Sequence, residues 1–165
     1  RTALEGCDLF RGLPESSLDL LAESSRLLRF APGEAVVREG EVSTAMYAIA
    51  TGSVQVSQRR AGGDTVVGRL DAGRVFGEVA FLRGTPRLAT VSATGPLEVV
   101  EIGEETLRDL LQQAPELAEE LARRVAGHER STEEAAAAEA DAPRASRTAV
   151  ADLLGAIWRR FGGAA

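Results

Sequence analysis

Over residues 1 to about 30 the apolar positions recur at helical spacing, with Leu18, Leu21 and Leu28 marking a face and Leu20 and Leu27 beside it. Pro14 followed by Glu15-Ser16-Ser17 reads as a helix start, since proline suits the first turn and acids suit its dipole. From Pro32 the rhythm shortens. Gly and β-branched residues recur through Gly33, Val36-Val37, Gly40, Met46-Tyr47-Ala48-Ile49, Gly52, Val54-Gln55-Val56, Val66-Val67 and Gly73. Short runs bounded by turn residues at this spacing predict an antiparallel sandwich or barrel, with Ala61-Gly62-Gly63-Asp64 as a hairpin tip. Residues 87–102 resume the strand pattern through Val91, Leu97, Val99, Val100 and Ile102.

Beyond that the period is helical. Glu104 to Gln113 forms one helix, and Pro115 opens a second that runs to about Ala138, with a bend forced at Ala114 before the proline. Glu133-Glu134 to Ala140 is low-complexity helix former, read as a solvated helix end or linker, and Asp141-Ala142-Pro143-Arg144 breaks the pattern. A last helix spans roughly Thr148 to Phe161, its apolar residues Val150, Leu153, Leu154, Ile157, Trp158 and Phe161 falling on one continuous face. The order is helix, β-roll, two helices, linker, amphipathic helix, without solenoid repeats. The boundaries expected are a domain at 1–138, a linker at 139–147 and the tail helix at 148–165.

Composition narrows the chemistry. With 165 residues, 44% hydrophobic and 27% charged, the chain reads as a globular domain rather than a disordered one. A net charge of −6 argues against a nucleic-acid surface, which needs clustered positive charge. All 19 basic residues are Arg, so Schiff-base and P-loop lysine chemistry is excluded. One Cys (Cys7) excludes an internal disulfide and a CxxC pair, and one His (His128) excludes a His-rich metal cluster. Cys7 is read as packed rather than reactive. No apolar run approaches the roughly 18 residues of a membrane span. The first residue is Arg1, and Thr2-Ala3-Leu4-Glu5 is already helical in pattern, so the expectation is a piece of a longer polypeptide that continues on its N-terminal side.

One segment stands apart: Phe76-Gly77-Glu78-Val79-Ala80-Phe81-Leu82-Arg83-Gly84-Thr85-Pro86-Arg87-Leu88-Ala89-Thr90-Val91. Gly77 permits close backbone approach, and Glu78 to Leu82 can make one helical turn whose first N–H groups stay unpaired. Pro86 sets Arg87 at the start of the next strand, so that a guanidinium faces those amides across a pocket of phosphate size. A carboxylate there repels a second phosphate and accepts from a sugar hydroxyl, which suggests a nucleotide of low charge. The alternative reading is a Glu78–Arg87 salt bridge that merely closes a turn.

The segment resembles the phosphate-binding cassette of the cyclic nucleotide-binding domain family, with Phe-Gly-Glu-x-Ala, the spacer, Pro-Arg and x-Ala-Thr-Val in order. The leading helices, Gly-punctuated strands and trailing helices match the family's layout over about residues 4–138. The resemblance implies an α+β fold: an antiparallel β-roll (a double-stranded β-helix or jelly roll) flanked by N-terminal helices and C-terminal B/C-type helices. It implies that Glu78 accepts from the ribose 2′-hydroxyl with help from the Gly77 amide, and that Arg87 pairs with the cyclic phosphate. The amides of Ala80 and Leu88 would complete the cradle, with Phe76, Val79 and Ala89 around it. Family members differ in base preference at the position after the Arg. Leu88 has no hydroxyl for guanine, so cAMP is the expected ligand and cGMP the second. The family's last helix closes over the base, which makes Arg124, Val125 and His128 lid candidates. Arg123 and Arg124 are also spaced to pair with Glu119 or Glu120. The resemblance implies no catalytic residue, metal or cofactor.

The tail stripe either packs on its own domain, associates with sister subunits or lies on a membrane surface. Two adjoining arginines are few for a membrane, so a homo-oligomer through the tail comes first. Its Trp-Arg-Arg-Phe-Gly ending looks like the C-terminal end of bacterial channels in which a mechanosensitive-type pore carries this sensor. The function expected is therefore a regulatory cyclic nucleotide module acting through its C-terminal helix on an attached effector, an ion channel first. The alternatives are the sensor of a catabolite-activator-type transcription regulator without its DNA-binding part, or a structural domain that has lost its ligand. A β-barrel enzyme is disfavoured because no nucleophile–base pair is visible. The expected location is the cytoplasm, including the cytoplasmic side of an inner-membrane protein.

Overall fold

A computed structural model describes residues 1–137 and 148–162, with side chains for 1–127 and 150–162. The predicted linker at 139–147 lies outside the described residues. Two short helices, α1 (Thr2–Glu5) and α2 (Glu15–Ser24), lead into the strands β1 (Arg26–Phe30), β2 (Ala35–Val37), β3 (Ala45–Thr51) and β4 (Ser53–Arg60). The strands continue as β5 (Gly63–Asp71) and β6 (Val75–Phe76), then helix α3 (Glu78–Arg83), β7 (Thr90–Ala93) and β8 (Leu97–Gly103). Three helices close the described chain: α4 (Glu104–Gln113), α5 (Leu117–Ala137) and α6 (Thr148–Phe161).

The strands form two antiparallel four-stranded sheets, ordered β1-β8-β3-β6 and β2-β7-β4-β5. The architecture is the expected α+β roll with helices at both chain ends. The first sheet is the middle layer. From β3, Ala45, Tyr47 and Ile49 turn to the core between the sheets, while Met46 and Ala48 turn to the helices. β8 divides the same way, with Leu97 and Val99 inward and Val100 and Ile102 toward the helices. A strand buried on both faces has no polar face to display, which is why these segments read as nearly unbroken apolar runs. The second sheet is one-sided: Val54, Val91 and Ala93 are buried, and β5 is exposed along most of its length. The hairpin tip falls where the glycines place it, since Arg60 pairs with Gly63 around Ala61-Gly62.

Two expectations change. Leu27 and Leu28 belong to β1, not to a leading helix, because Arg26 to Phe30 pairs residue for residue with β8. Leu28 and Phe30 then reach the inter-sheet core, and Leu27 is left 54% exposed. The tail stripe is also used differently from a surface for sister subunits. Leu153, Ile157 and Phe161 are buried in the same core as Phe81, Leu110 and Val125, so that part of the stripe is covered by the chain itself, while Val150 and Leu154 are half-buried and Trp158 stays exposed. Cys7 is packed among Leu4, Leu9 and Phe10, and burial pushes its thiol above the ordinary range.

Candidate functional site

The cassette begins where β6 leaves the first sheet. Gly77 takes a left-handed conformation (φ +76°) that turns the chain into α3. A Cβ at this position would stand 2.5 Å from Arg87 Nη1, so glycine is required both by the backbone and by what lies against it. Glu78 opens the helix and is buried. Val79 is partly buried against the helix-side core, and Ala80, Phe81 and Leu82 are buried. As at any helix start, the first-turn amides have no partner within the helix.

Arg87 returns to this turn from the far end of the cassette. Its backbone is clamped in the loop after β2: its N–H donates to Glu41 O (2.9 Å), and its carbonyl accepts from Gly40 N–H (2.8 Å). Its side chain is only 5% exposed, which decides its chemistry. Nη1 donates to Gly77 O (3.0 Å) and Nη2 to Ala45 O (2.7 Å). The guanidinium carbon lies 5.7 Å from the Tyr47 ring centroid, and Tyr47 is stacked on Phe76 at 5.3 Å. The Nη donors thus go to two backbone carbonyls, with the Glu78 carboxylate close enough to act on the guanidinium electrostatically. Burial lowers the Arg87 pKa, opposed by the nearby Tyr47 phenol and the carboxylates of Glu41, Glu78 and Glu101. A guanidinium stays protonated in proteins, so the net result is a buried cation shared between partial charges.

The same surroundings shape Tyr47. Its hydroxyl donates to Glu101 Oε2 (3.2 Å) on the neighbouring strand. Desolvation, then the Glu101 carboxylate, raises its pKa above the ordinary phenol value of 10.0, partly offset by Arg87. Leu88 is 60% exposed, which leaves its side chain at the mouth of the cassette, and its carbonyl accepts from Gln58 Nε2 (3.2 Å). Ala89 is half-buried. Of these residues the structure brings Gly77 directly against Arg87, and Phe76 next to it through the stacked Tyr47 ring.

The lid candidates are placed differently. Arg124 pairs with Glu120 (2.7 Å), as its helical spacing predicts, but its Nη atoms donate to the carbonyls of Asp8 (2.9 Å), Leu9 and Arg11 (2.9 Å). It pins the N-terminal segment to α5. Val125 is fully buried in the helix-side core. In this arrangement both side chains are engaged by the helical layer. The side chain of His128 lies outside the described residues. Arg123 reaches Glu119 and Glu120 on the surface, at 3.8 and 3.6 Å.

Several parts of this site had no signal in the sequence. Ala45 and Glu41 act through carbonyls, which no side-chain pattern reveals. Tyr47 lies 40 positions before Arg87 and meets it only because of strand register. Ser43, in the same loop, has a buried hydroxyl with no hydrogen-bond partner among the described residues. A cavity of about 540 Å³ between Gly33, Arg38, Gln55, Asp64 and Ser92 lies on the second sheet, and no cassette residue apart from Thr90 at its end lines it.

A family model described as "Cyclic nucleotide-binding domain" matches residues 27–114, a span that contains the whole cassette. Over 128 residues the chain is 34% identical to the cAMP-dependent protein kinase regulatory subunit of Mycosarcoma maydis, covering 74% of this chain and 24% of that protein. Over 120 residues it is 33% identical to the acetyltransferase Pat of Mycolicibacterium smegmatis, covering 73% of this chain and 36% of that protein. Among solved structures, the N-terminal domain of a transcriptional regulator from Streptomyces coelicolor superposes with a TM-score of 0.68 at 25% identity, covering 81% of this chain and 94% of that one. The chain thus spans only about a quarter to a third of the two curated relatives, and these carry different activities in their names.

Proposed function

Because the chain belongs to the cyclic nucleotide-binding domain family, we propose that it is a regulatory module that binds cAMP, or less favourably cGMP, and reports occupancy to an attached effector. The observation that carries this reading is Arg87: a buried cation, turned into the cassette opposite Glu78 and held by carbonyls that a stronger acceptor can replace. A phosphate oxygen offers a full charge where Gly77 O and Ala45 O offer partial ones, and charge-assisted bonds are roughly twice as strong as neutral ones. In this reading Arg87 takes the cyclic phosphate, with the Ala80 and Leu88 amides beside it. Glu78 and the Gly77 amide take the ribose hydroxyl, and Phe76, Val79 and Ala89 form the surround. Leu88 presents hydrocarbon at the mouth, which gives a guanine nothing to bond.

The work of the module is binding rather than catalysis. We take residues 1–138 as the sensor and 148–165 as its tail, joined at 139–147, within a larger polypeptide that carries the effector. An ion channel is the first candidate, on the likeness of the tail. Its setting is then the cytoplasmic side of a bacterial inner membrane, and among the described residues no helix is long and apolar enough to cross one. The likeness to part of a transcriptional regulator favours a second reading, in which the effector is a DNA-binding part. Among the described residues, however, α5 is followed by the single helix α6 and by no helix-turn-helix.

Calorimetry of the full chain with cAMP, cGMP and linear 5′-AMP tests the proposal. It predicts saturable one-site binding of cAMP, weaker binding of cGMP and weaker still of the dianionic linear nucleotide, whose extra charge meets Glu78. Absence of heat with both cyclic nucleotides at millimolar concentration would overturn it.

A further inference from the structure

The N-terminal half of α3 faces the cassette, and its C-terminal half is held by α6. The Phe81 and Phe161 rings, both fully buried, are 5.2 Å apart and tilted by 48°. α3 ends on Gly84 in a left-handed conformation (φ +73°), and Arg160 lies so closely across it that any Cβ would collide with the guanidinium. Arg160 Nη2 donates to Glu104 Oε1 at 2.6 Å, and its guanidinium carbon is 5.4 Å from the Phe161 ring centroid. The pair joins the last turn of α6 to the first turn of α4, where a cation and an anion each suit the helix dipole. Leu153 and Ile157 are buried beside them in the same core.

α3 is therefore a six-residue rod with a left-handed glycine at each end. At one end the Gly77 carbonyl accepts from Arg87, and at the other Gly84 lies under Arg160. A phosphate that draws Arg87 away from the Gly77 carbonyl releases the first end. Any rotation of the rod that follows is felt at Phe81, where α6 sits. We propose that α6 is a latch whose docking on α3 and α4 opposes cyclic nucleotide binding at the cassette, an inference that rests on the ligand reading above. Docked α6 holds α3 in the position in which Gly77 and Arg87 are bonded to each other. Linkage is reciprocal: the factor by which α6 weakens the nucleotide is the factor by which the nucleotide loosens α6. The coupling needs only that the nucleotide bind better to the undocked arrangement.

The chain reports on this itself, because its single Trp, Trp158, lies on α6 and is 39% exposed. The experiment uses the full chain, with calorimetry for cAMP affinity, amide exchange across residues 150–161 and Trp158 emission. The variants are Arg160→Ala and the conservative Glu104→Gln, both outside the cassette. Saturating cAMP should accelerate exchange in 150–161 and shift Trp158 emission to longer wavelength. Both variants should bind cAMP about fivefold tighter or more, the lower end of ordinary coupling energies. Normal cAMP binding with unchanged exchange and unchanged affinity in both variants overturns the latch alone. Tighter protection of 150–161 by cAMP, with weaker binding by the variants, overturns its sign. Failure of both cyclic nucleotides to give heat overturns the ligand reading and the latch with it.

Discussion

Arg87 is a residue whose burial requires explanation, since an isolated charge loses much of its hydration when it is 5% exposed. Two carbonyls and an aromatic face compensate in part, and carbonyls carry only partial charges, which a full anion can outcompete. Glu78 and Arg87 were legible from the sequence because their chemistry is carried by side chains at short spacing. Ala45, Glu41 and Tyr47 were not, because they are brought to Arg87 by register across the sheet. Gly77 tests the tight end of this arrangement. Gly77→Ala strains a left-handed residue by about 1–2 kcal/mol and also displaces Arg87, so urea denaturation should show at least that loss. Tyr47 gives a pH test, being the only Tyr in the chain. A phenol raised above 10.0 in the fold contributes stability below that pH and loses it as the pH climbs through its folded value. Tyrosinate absorbance of the native protein should therefore rise at higher pH than that of the urea-unfolded chain. Coincident titrations would show that Tyr47 is not shielded.

At the scale of elements, the alternation of β3 is hidden because both of its faces are buried. Met46→Ala and Ile49→Ala point to opposite cores, and each should cost about 2–5 kcal/mol in urea denaturation. Gln55→Ala on the outer face of β4 should stay within about 0.5 kcal/mol. A large cost at only one of Met46 and Ile49 would show the first sheet to be one-sided. The helices were legible nearly to the residue, since Glu104–Gln113 and Thr148–Phe161 carry unambiguous periods and breakers. β1 was not, because Leu27-Leu28 beside a helical pattern fits either period over so short a run. The destination of the α6 stripe was equally open. An apolar face states that it will be covered, and only the packing of Phe161 on Phe81 states by what.

Across the whole molecule the net charge is −6, and among the described residues Arg87 is the one buried cation. Binding to the folded state alone must raise stability, by about 2.7 kcal/mol at a ligand concentration of 100 times Kd. Thermal unfolding should therefore shift upward with cAMP and remain unmoved with adenosine, which lacks the phosphate for Arg87. The most direct test sets Arg87→Ala beside the unaltered chain in a calorimetric titration with cAMP, with circular dichroism to confirm that both are folded. Losing a charged hydrogen bond should weaken binding by about 1.5–3 kcal/mol or more, roughly tenfold to over a hundredfold. Equal affinity in the folded variant would show that Arg87 does not hold the phosphate, and would contradict the account.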